Sequence, residues 1–191
     1  GAMPAARVIV VGLGKVEDLS VDRIRQAAAT GAKKARELGC QSIAASVFGV
    51  ETGSVNLSLA AQAMIEGALL GLYRWRPNHT APVERGEIES ITLVETVAAK
   101  VKAVESGANA GQATAAGVYR ARDLVNQAPN IMTPTGLAQA AEEMAKETGV
   151  KCTVHDLEWI QAQRMTAYLS VTQGSANPPK FIELEYKGAD T

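Results

Sequence analysis

The residues able to do chemistry are few and scattered. Gly12-Leu13-Gly14-Lys15 follows an apolar run, and the backbone N–H groups of a glycine-rich turn ahead of a helix attract phosphate. The spacing refuses that chemistry. A dinucleotide fingerprint needs a third glycine where Glu17 stands, and a nucleotide phosphate loop needs Ser or Thr where Val16 stands. The turn is therefore read as a plain strand-to-helix connection. His155-Asp156, with Cys152 nearby on the same strand, suggests an acid/base pair, but adjacent strand residues point to opposite faces and cannot easily converge on one substrate atom. Glu183 and Glu185 do share a strand face, roughly 7 Å apart. Ile182, Leu184 and Tyr186 take the other face, so the two carboxylates read as a solvated surface. His79 and His155 are the only histidines, and any dense metal site would have to draw on carboxylates. Ser54 and Ser175 lack a Gly-x-Ser-x-Gly setting. No catalytic, cofactor-binding or metal-ligating residue is assigned on these grounds.

The elements that would position such groups alternate in type. Residues 7–13 (RVIVVGL) are apolar without polar alternation, which suits a strand covered on both faces in a parallel sheet. A helix follows, with Ser20 as N-cap, Asp22 in its first turn, apolar residues from Val21 to Leu38 at helical spacing, and Gly39 as its stop. Residues 42–48 read as a second strand. After the turn formers Glu51-Thr52-Gly53-Ser54, a second helix carries the stripe Leu57, Ala61, Met64, Ile65, Ala68, Leu69 and Leu72 and runs to about Tyr73. Residues 88–94 give a third strand. This order with short connections is that of a mostly parallel α/β layer.

Residues 96–127 contain no proline and repeat Val97, Val101, Val104, Ala108, Ala115, Val118 and Val125 at near-helical intervals. A helix of that length measures ~45 Å, more than a small domain needs, and is read as a connector between two lobes. Gly107, Gly111 and Gly117 weaken it, so a break near 107–111 is the competing reading. Beyond Pro129 a new unit opens. Thr133 is its N-cap with Pro134 at the first helical position, Gly149 closes the helix, and a strand 151–156, a short helix from Leu157, a loop 173–179 and a strand 180–186 follow. The expected organisation is 1–95 as an N-terminal α/β domain, 96–127 as a connecting helix, and 128–191 as the start of a further α/β domain.

Composition narrows the function classes. The chain has 191 residues, 47% hydrophobic and 20% charged, with a formal net charge of −1. That apolar share with so little net charge belongs to a chain that buries a core, and no apolar run nears the ~20 residues of a membrane span. Nineteen basic against 20 acidic side chains give no excess for phosphate neutralisation, so nucleic acid is disfavoured as a partner. The densest basic spots, Lys33, Lys34 and Arg36 on a helix and Arg74, Arg76, His79 and Arg85 around a loop, read as solvated surface. Cys40 and Cys152 lie far apart and fit a reducing compartment, with cytoplasm the expectation. No signal peptide is seen, and Gly1-Ala2 ahead of Met3 reads as a cleavage scar.

Residues 121–134, Ala-Arg-Asp-Leu-Val-Asn-Gln-Ala-Pro-Asn-Ile-Met-Thr-Pro, closely resemble the leucyl aminopeptidase (cytosol aminopeptidase) family at the junction of its N-terminal and catalytic domains. Val10-Val11-Gly12-Leu13-Gly14-Lys15 and Gly174-Ser175-Ala176-Asn177-Pro178-Pro179, followed by the strand at 181–186, match in the same order. The resemblance implies a macrodomain-like N-terminal domain, a long helix and the opening of a catalytic α/β domain. It implies a cytosolic, hexameric exopeptidase that releases N-terminal residues, leucine among them, with two divalent metal ions (Mn or Zn) activating a water. Two departures accompany it. Family members carry additional strands ahead of the position of Arg7, and their metal ligands and catalytic residues lie downstream of Thr191, so none is carried onto this chain. A fragment inactive by itself is expected. The alternative is a non-catalytic binding or regulatory module for an ADP-ribose-type ligand or DNA, and a third possibility is self-association through surface left exposed.

Overall fold

A computed structural model describes residues 5–51, 53, 55–76 and 86–188. Gly1-Ala2-Met3, Thr52 and Ser54 of the expected turn, and Pro77, His79, Pro82 and Arg85 of the expected loop lie outside the described residues. The chain divides into two compact units, 1–123 and 124–191.

The first unit is built on helices α1 (Val21–Glu37), α2 (Leu57–Leu72) and α3 (Ala98–Asn126), with strands β1 (Ser42–Ser46) and β2 (Ser90–Val94). Ser20 caps α1, its hydroxyl accepting the Arg23 N–H at 3.3 Å, and Gly39 closes it with a φ of 73°, a left-handed turn that glycine adopts without steric cost. Asn56 caps α2 by accepting the Leu59 N–H at 2.8 Å. The middle of α2 is buried from Ala63 through Ala68, not along one stripe as its periodicity predicts, because both of its flanks are covered. A methyl built at Gly67 would lie 2.0 Å from the Arg25 carbonyl oxygen of α1, and one at Gly107 of α3 would lie 2.0 Å from the Ser58 carbonyl oxygen of α2. Backbones approach this closely only where a side chain is missing. Ile24, Val55, Ala60, Ala63 and Met64 form the core, with Leu19, Phe48, Val47 and Leu93 packed around it.

β1 and β2 pair in parallel from Ser42↔Ser90 to Ser46↔Val94. Ile43, Ala45, Ile91 and Leu93 are turned toward the core side, while the alternate residues are exposed. Residues 7–13 do not join this sheet, contrary to expectation. They run extended with Ile9, Val11 and Leu13 half-buried on the α1 side, whereas Val8 and Val10 are 62% and 90% exposed. Among the described residues no strand backbone offers them a ladder, and packing on a helix alone does not make a strand. The long helix expected over 96–127 is formed, without the break at 107–111 that was the competing reading. α3 runs unbroken for 29 residues, since Gly107 and Gly111 are contact points on α2 and that packing offsets their poor helix propensity.

The second unit holds α4 (Pro134–Thr148), β3 (Lys151–His155), α5 (Leu157–Ala162), α6 (Thr166–Thr172) and β4 (Phe181–Glu185). Thr133 caps α4 by accepting the Gly136 N–H at 3.2 Å, Pro134 takes the first turn, and Gly149 ends the helix at φ 75°. β3 and β4 are antiparallel, with His155 opposite Phe181 and Lys151 opposite Glu185. The single short helix expected after Leu157 is two, separated by Arg164 at φ 53°, a backbone state uncommon outside glycine and asparagine. Ile160 of α5 is fully buried.

Candidate functional site

His79 and Ser54 lie outside the described residues; each of the other residues singled out by its chemistry has a definite place. Gly12 and Gly14 lie in an exposed turn with Gly14 at φ 84°, but α1 does not begin there. A single 3-10 turn, Val16–Asp18, intervenes, and at the start of α1 the Arg23 N–H donates to the Ser20 hydroxyl. The Lys15 ammonium lies 3.5 Å from the Glu17 carboxylate, both exposed. The arrangement that makes a glycine turn a phosphate cradle, its N–H groups continuous with a helix N-terminus, is not formed.

In the second unit the candidate acid/base residues separate. The His155 ring stacks on Trp159, centroids 3.8 Å apart, and both approach Phe181. Asp156 turns the other way and caps α5, accepting the Trp159 N–H at 3.4 Å. That backbone hydrogen bond is the leading reason its carboxyl is held below the usual carboxylate range. Glu183 and Glu185 stand on one face as the strand period requires, yet each has its own partner. Glu183 lies 3.5 Å from His155 Nε2, and Glu185 accepts from Lys151 Nζ at 2.9 Å. The pairing raises the Lys151 ammonium pKa and lowers that of the Glu185 carboxyl, in both cases mainly through this hydrogen bond. Cys152 and Cys40 are free thiols. The Ser175 Oγ accepts the Asn177 N–H at 3.1 Å, a loop-closing bond. Among the described residues no three His, Cys, Asp or Glu side chains gather closely enough to hold a metal ion, so this donor set does not fit a two-metal centre.

A polar cluster that sequence reasoning missed lies at the C-terminal end of α2. The Tyr119 hydroxyl donates to the Leu69 carbonyl, Arg122 Nη1 donates to that of Leu70 at 3.3 Å, and Arg36 Nη1 donates to that of Leu72 at 2.7 Å. The Tyr73 hydroxyl donates to Asp123 at 2.8 Å, and the Arg122 guanidinium sits 5.2 Å from the Tyr73 ring centroid. The last carbonyls of a helix have no partner within it; Arg122 and Arg36 supply donors to those of Leu70 and Leu72, while Tyr119 adds a second donor to the Leu69 carbonyl, which also accepts the Tyr73 N–H at 3.1 Å. Arg122 and Asp123 belong to the junction string at 121–134, which thus has a structural job at the end of the first unit. Burial raises the pKa of the Tyr119 hydroxyl.

Two α/β units, the first with a parallel strand pair under helices, define the class of protein. The particular family follows from comparison. Residues 1–81 match the model of the cytosol aminopeptidase family, N-terminal domain, and residues 119–191 match that of the cytosol aminopeptidase family, catalytic domain. The chain belongs to the cytosol aminopeptidase family. A probable cytosol aminopeptidase of Geotalea uraniireducens is 36% identical over 190 residues, covering 98% of this chain and 38% of that protein. One from Roseiflexus castenholzii is 38% identical over 188 residues, covering 97% and 38%. The chain thus spans under two-fifths of the length of these relatives. Among solved structures, the bottromycin maturation enzyme BotP in complex with Mn is 28% identical with a TM-score of 0.77, covering 94% of this chain and 36% of that one. A tomato leucine aminopeptidase mutant, 24% identical with a TM-score of 0.73 over 88% of this chain and 34% of that one, shares the fold. Among the described residues no helix is long and apolar enough to cross a membrane.

Proposed function

We propose that these 191 residues are part of a cytosolic leucyl aminopeptidase: an N-terminal domain at 1–95, a connecting helix at 96–127 and the opening of the catalytic domain at 128–191. The whole enzyme releases N-terminal amino acids from peptides, works as a hexamer in the cytoplasm, and uses two divalent ions, Mn or Zn, to activate water. The observation that carries this reading is the order of the two family matches, N-terminal domain at 1–81 and catalytic domain at 119–191. The Mn complex of the similar enzyme BotP supports a metal-dependent chemistry. Two acidic residues of the second unit already have partners. Glu185 is tied to Lys151 and Asp156 to the start of α5. With no cluster of three such donors among the described residues and under two-fifths of the relatives' length covered, we assign the metal ligands to further polypeptide, and the 191 residues alone are inactive.

An assay with a leucyl chromogenic amide, with Mn²⁺ or Zn²⁺ added, tests this. The 191-residue chain stays at the uncatalysed rate, while a longer polypeptide carrying the full catalytic domain turns the amide over. Metal-dependent turnover by the 191 residues alone would overturn the assignment of the ligands.

A further inference from the structure

The two halves of α3 are held in different ways. Its buried residues are Val104, Gly107, Gly111 and Ala115, and the two glycines meet the α2 backbone directly. Past Ala115 no residue of the helix is buried, and Val125 is 84% exposed. There Tyr119 donates to the Leu69 carbonyl, Arg122 to that of Leu70, and the Tyr73 hydroxyl, just past α2, to Asp123, while the Tyr119 and Tyr73 rings touch with centroids 5.0 Å apart.

Gly117 lies between these regions. A methyl at Gly107 or Gly111 would collide with carbonyl oxygens, but one at Gly117 would have nothing within 4 Å. Packing therefore does not call for glycine at 117, and glycine is the weakest helix former after proline. A glycine that packing does not require thus falls where full burial stops and tethering by the Tyr119, Arg122 and Asp123 side chains begins.

We infer that α3 carries a hinge at Gly117 and a latch made by Tyr73, Tyr119, Arg122 and Asp123. With the latch closed, residues 118–126 continue the packed half as one rod. With it open, this end segment unfolds locally while the part up to Ala115 stays on α2. The inference is independent of the peptidase reading, since it concerns the first unit's own contacts.

Hydrogen exchange read by mass spectrometry on the 191-residue chain tests it. The pair Tyr73→Phe and Tyr119→Phe removes two hydroxyls and keeps both rings. Amides of 118–126 then exchange about tenfold faster, as expected for losing one or two hydrogen bonds from a local opening, and amides of 101–115 are unchanged. Gly117→Ala alone slows exchange at 114–126 several-fold, and added to the double variant it reverses part of the acceleration. Unchanged exchange at 118–126 in the double variant overturns the latch, as does acceleration spread evenly over α2 and the whole of α3. Faster exchange in Gly117→Ala overturns the hinge. Should the double variant not fold, the Gly117→Ala result decides alone.

Discussion

Arg25 grips Glu66 with two nitrogens at once: Nε at 2.9 Å and Nη2 at 2.8 Å from the same carboxylate oxygen. Glu66 is 4% exposed in the middle of α2, and its second oxygen accepts from Gln62 Nε2 at 2.7 Å. Enclosing a carboxylate in this way is costly unless hydrogen-bonded partners are in place. Arg25→Ala leaves it with Gln62 alone. Removing one partner of a buried pair is strongly destabilising. Because the Arg25 side chain is 34% exposed, water reaches the pair and the loss falls to about 2 kcal/mol. Urea unfolding checks this: the midpoint drops with an unchanged slope, whereas no drop would show that the pair contributes nothing net.

Gly107 offers a larger effect. A methyl there meets the Ser58 carbonyl oxygen at 2.0 Å, which two helix backbones cannot relieve without moving apart. Gly107→Ala therefore destabilises by about 3 kcal/mol, the upper end for overpacking, although alanine is the better helix former. Thermal unfolding of Gly107→Ala beside Gly117→Ala separates steric cost from propensity. The first melts lower than the parent chain and the second does not.

Local punctuation was readable in the sequence, and pairing between distant segments was not. Ser20, Thr133, Pro134, Gly39 and Gly149 act through bonds a few residues long, and each stands where its side chain or φ predicts. Residues 7–13 have the composition of a sheet strand, but a strand also needs a neighbouring backbone, which no local pattern specifies. The stripe on α2 underestimated its burial, because α3, some 40 residues later, covers the second flank. One signal was available and passed over. Glu66 is the only charged residue within α2, and a lone carboxylate in so apolar a helix implies a buried partner. The cluster around Tyr73 and Tyr119 could not be read, since its members come from three helices.

Tyr119 makes that cluster sensitive to alkali. Burial raises the pKa of its hydroxyl, so the fold favours the protonated form. Its contribution is fully present below the unfolded tyrosine value of about 10 and is lost as pH rises through the higher folded value. Stability of the parent chain therefore falls more steeply above about pH 10 than that of Tyr119→Phe, which has no proton to lose at this position. Equilibrium unfolding of both chains at neutral and alkaline pH measures the difference. Parallel decline in the two would show that Tyr119 does not titrate with the fold.

In the second unit the acid side of the profile belongs to the strand pair. Lys151 and Glu185 face each other across β3 and β4 with Nζ 2.9 Å from the carboxylate, and the hydrogen bond from Lys151 leads the lowering of the Glu185 pKa. A lowered folded pKa means that the stabilisation is present above the unfolded value of about 4.3 and is lost as pH falls through the folded one. Both side chains are in water, so the effect is small and is screened by salt. Glu185→Gln thus lowers the melting temperature slightly at neutral pH in dilute buffer. The gap from the parent chain closes at molar salt, where the Debye length is about 3 Å, and closes again as pH falls through the lowered folded value and the parent carboxylate takes up its proton. A gap that survives both conditions would show that the side chain acts through packing on the sheet rather than through its charge.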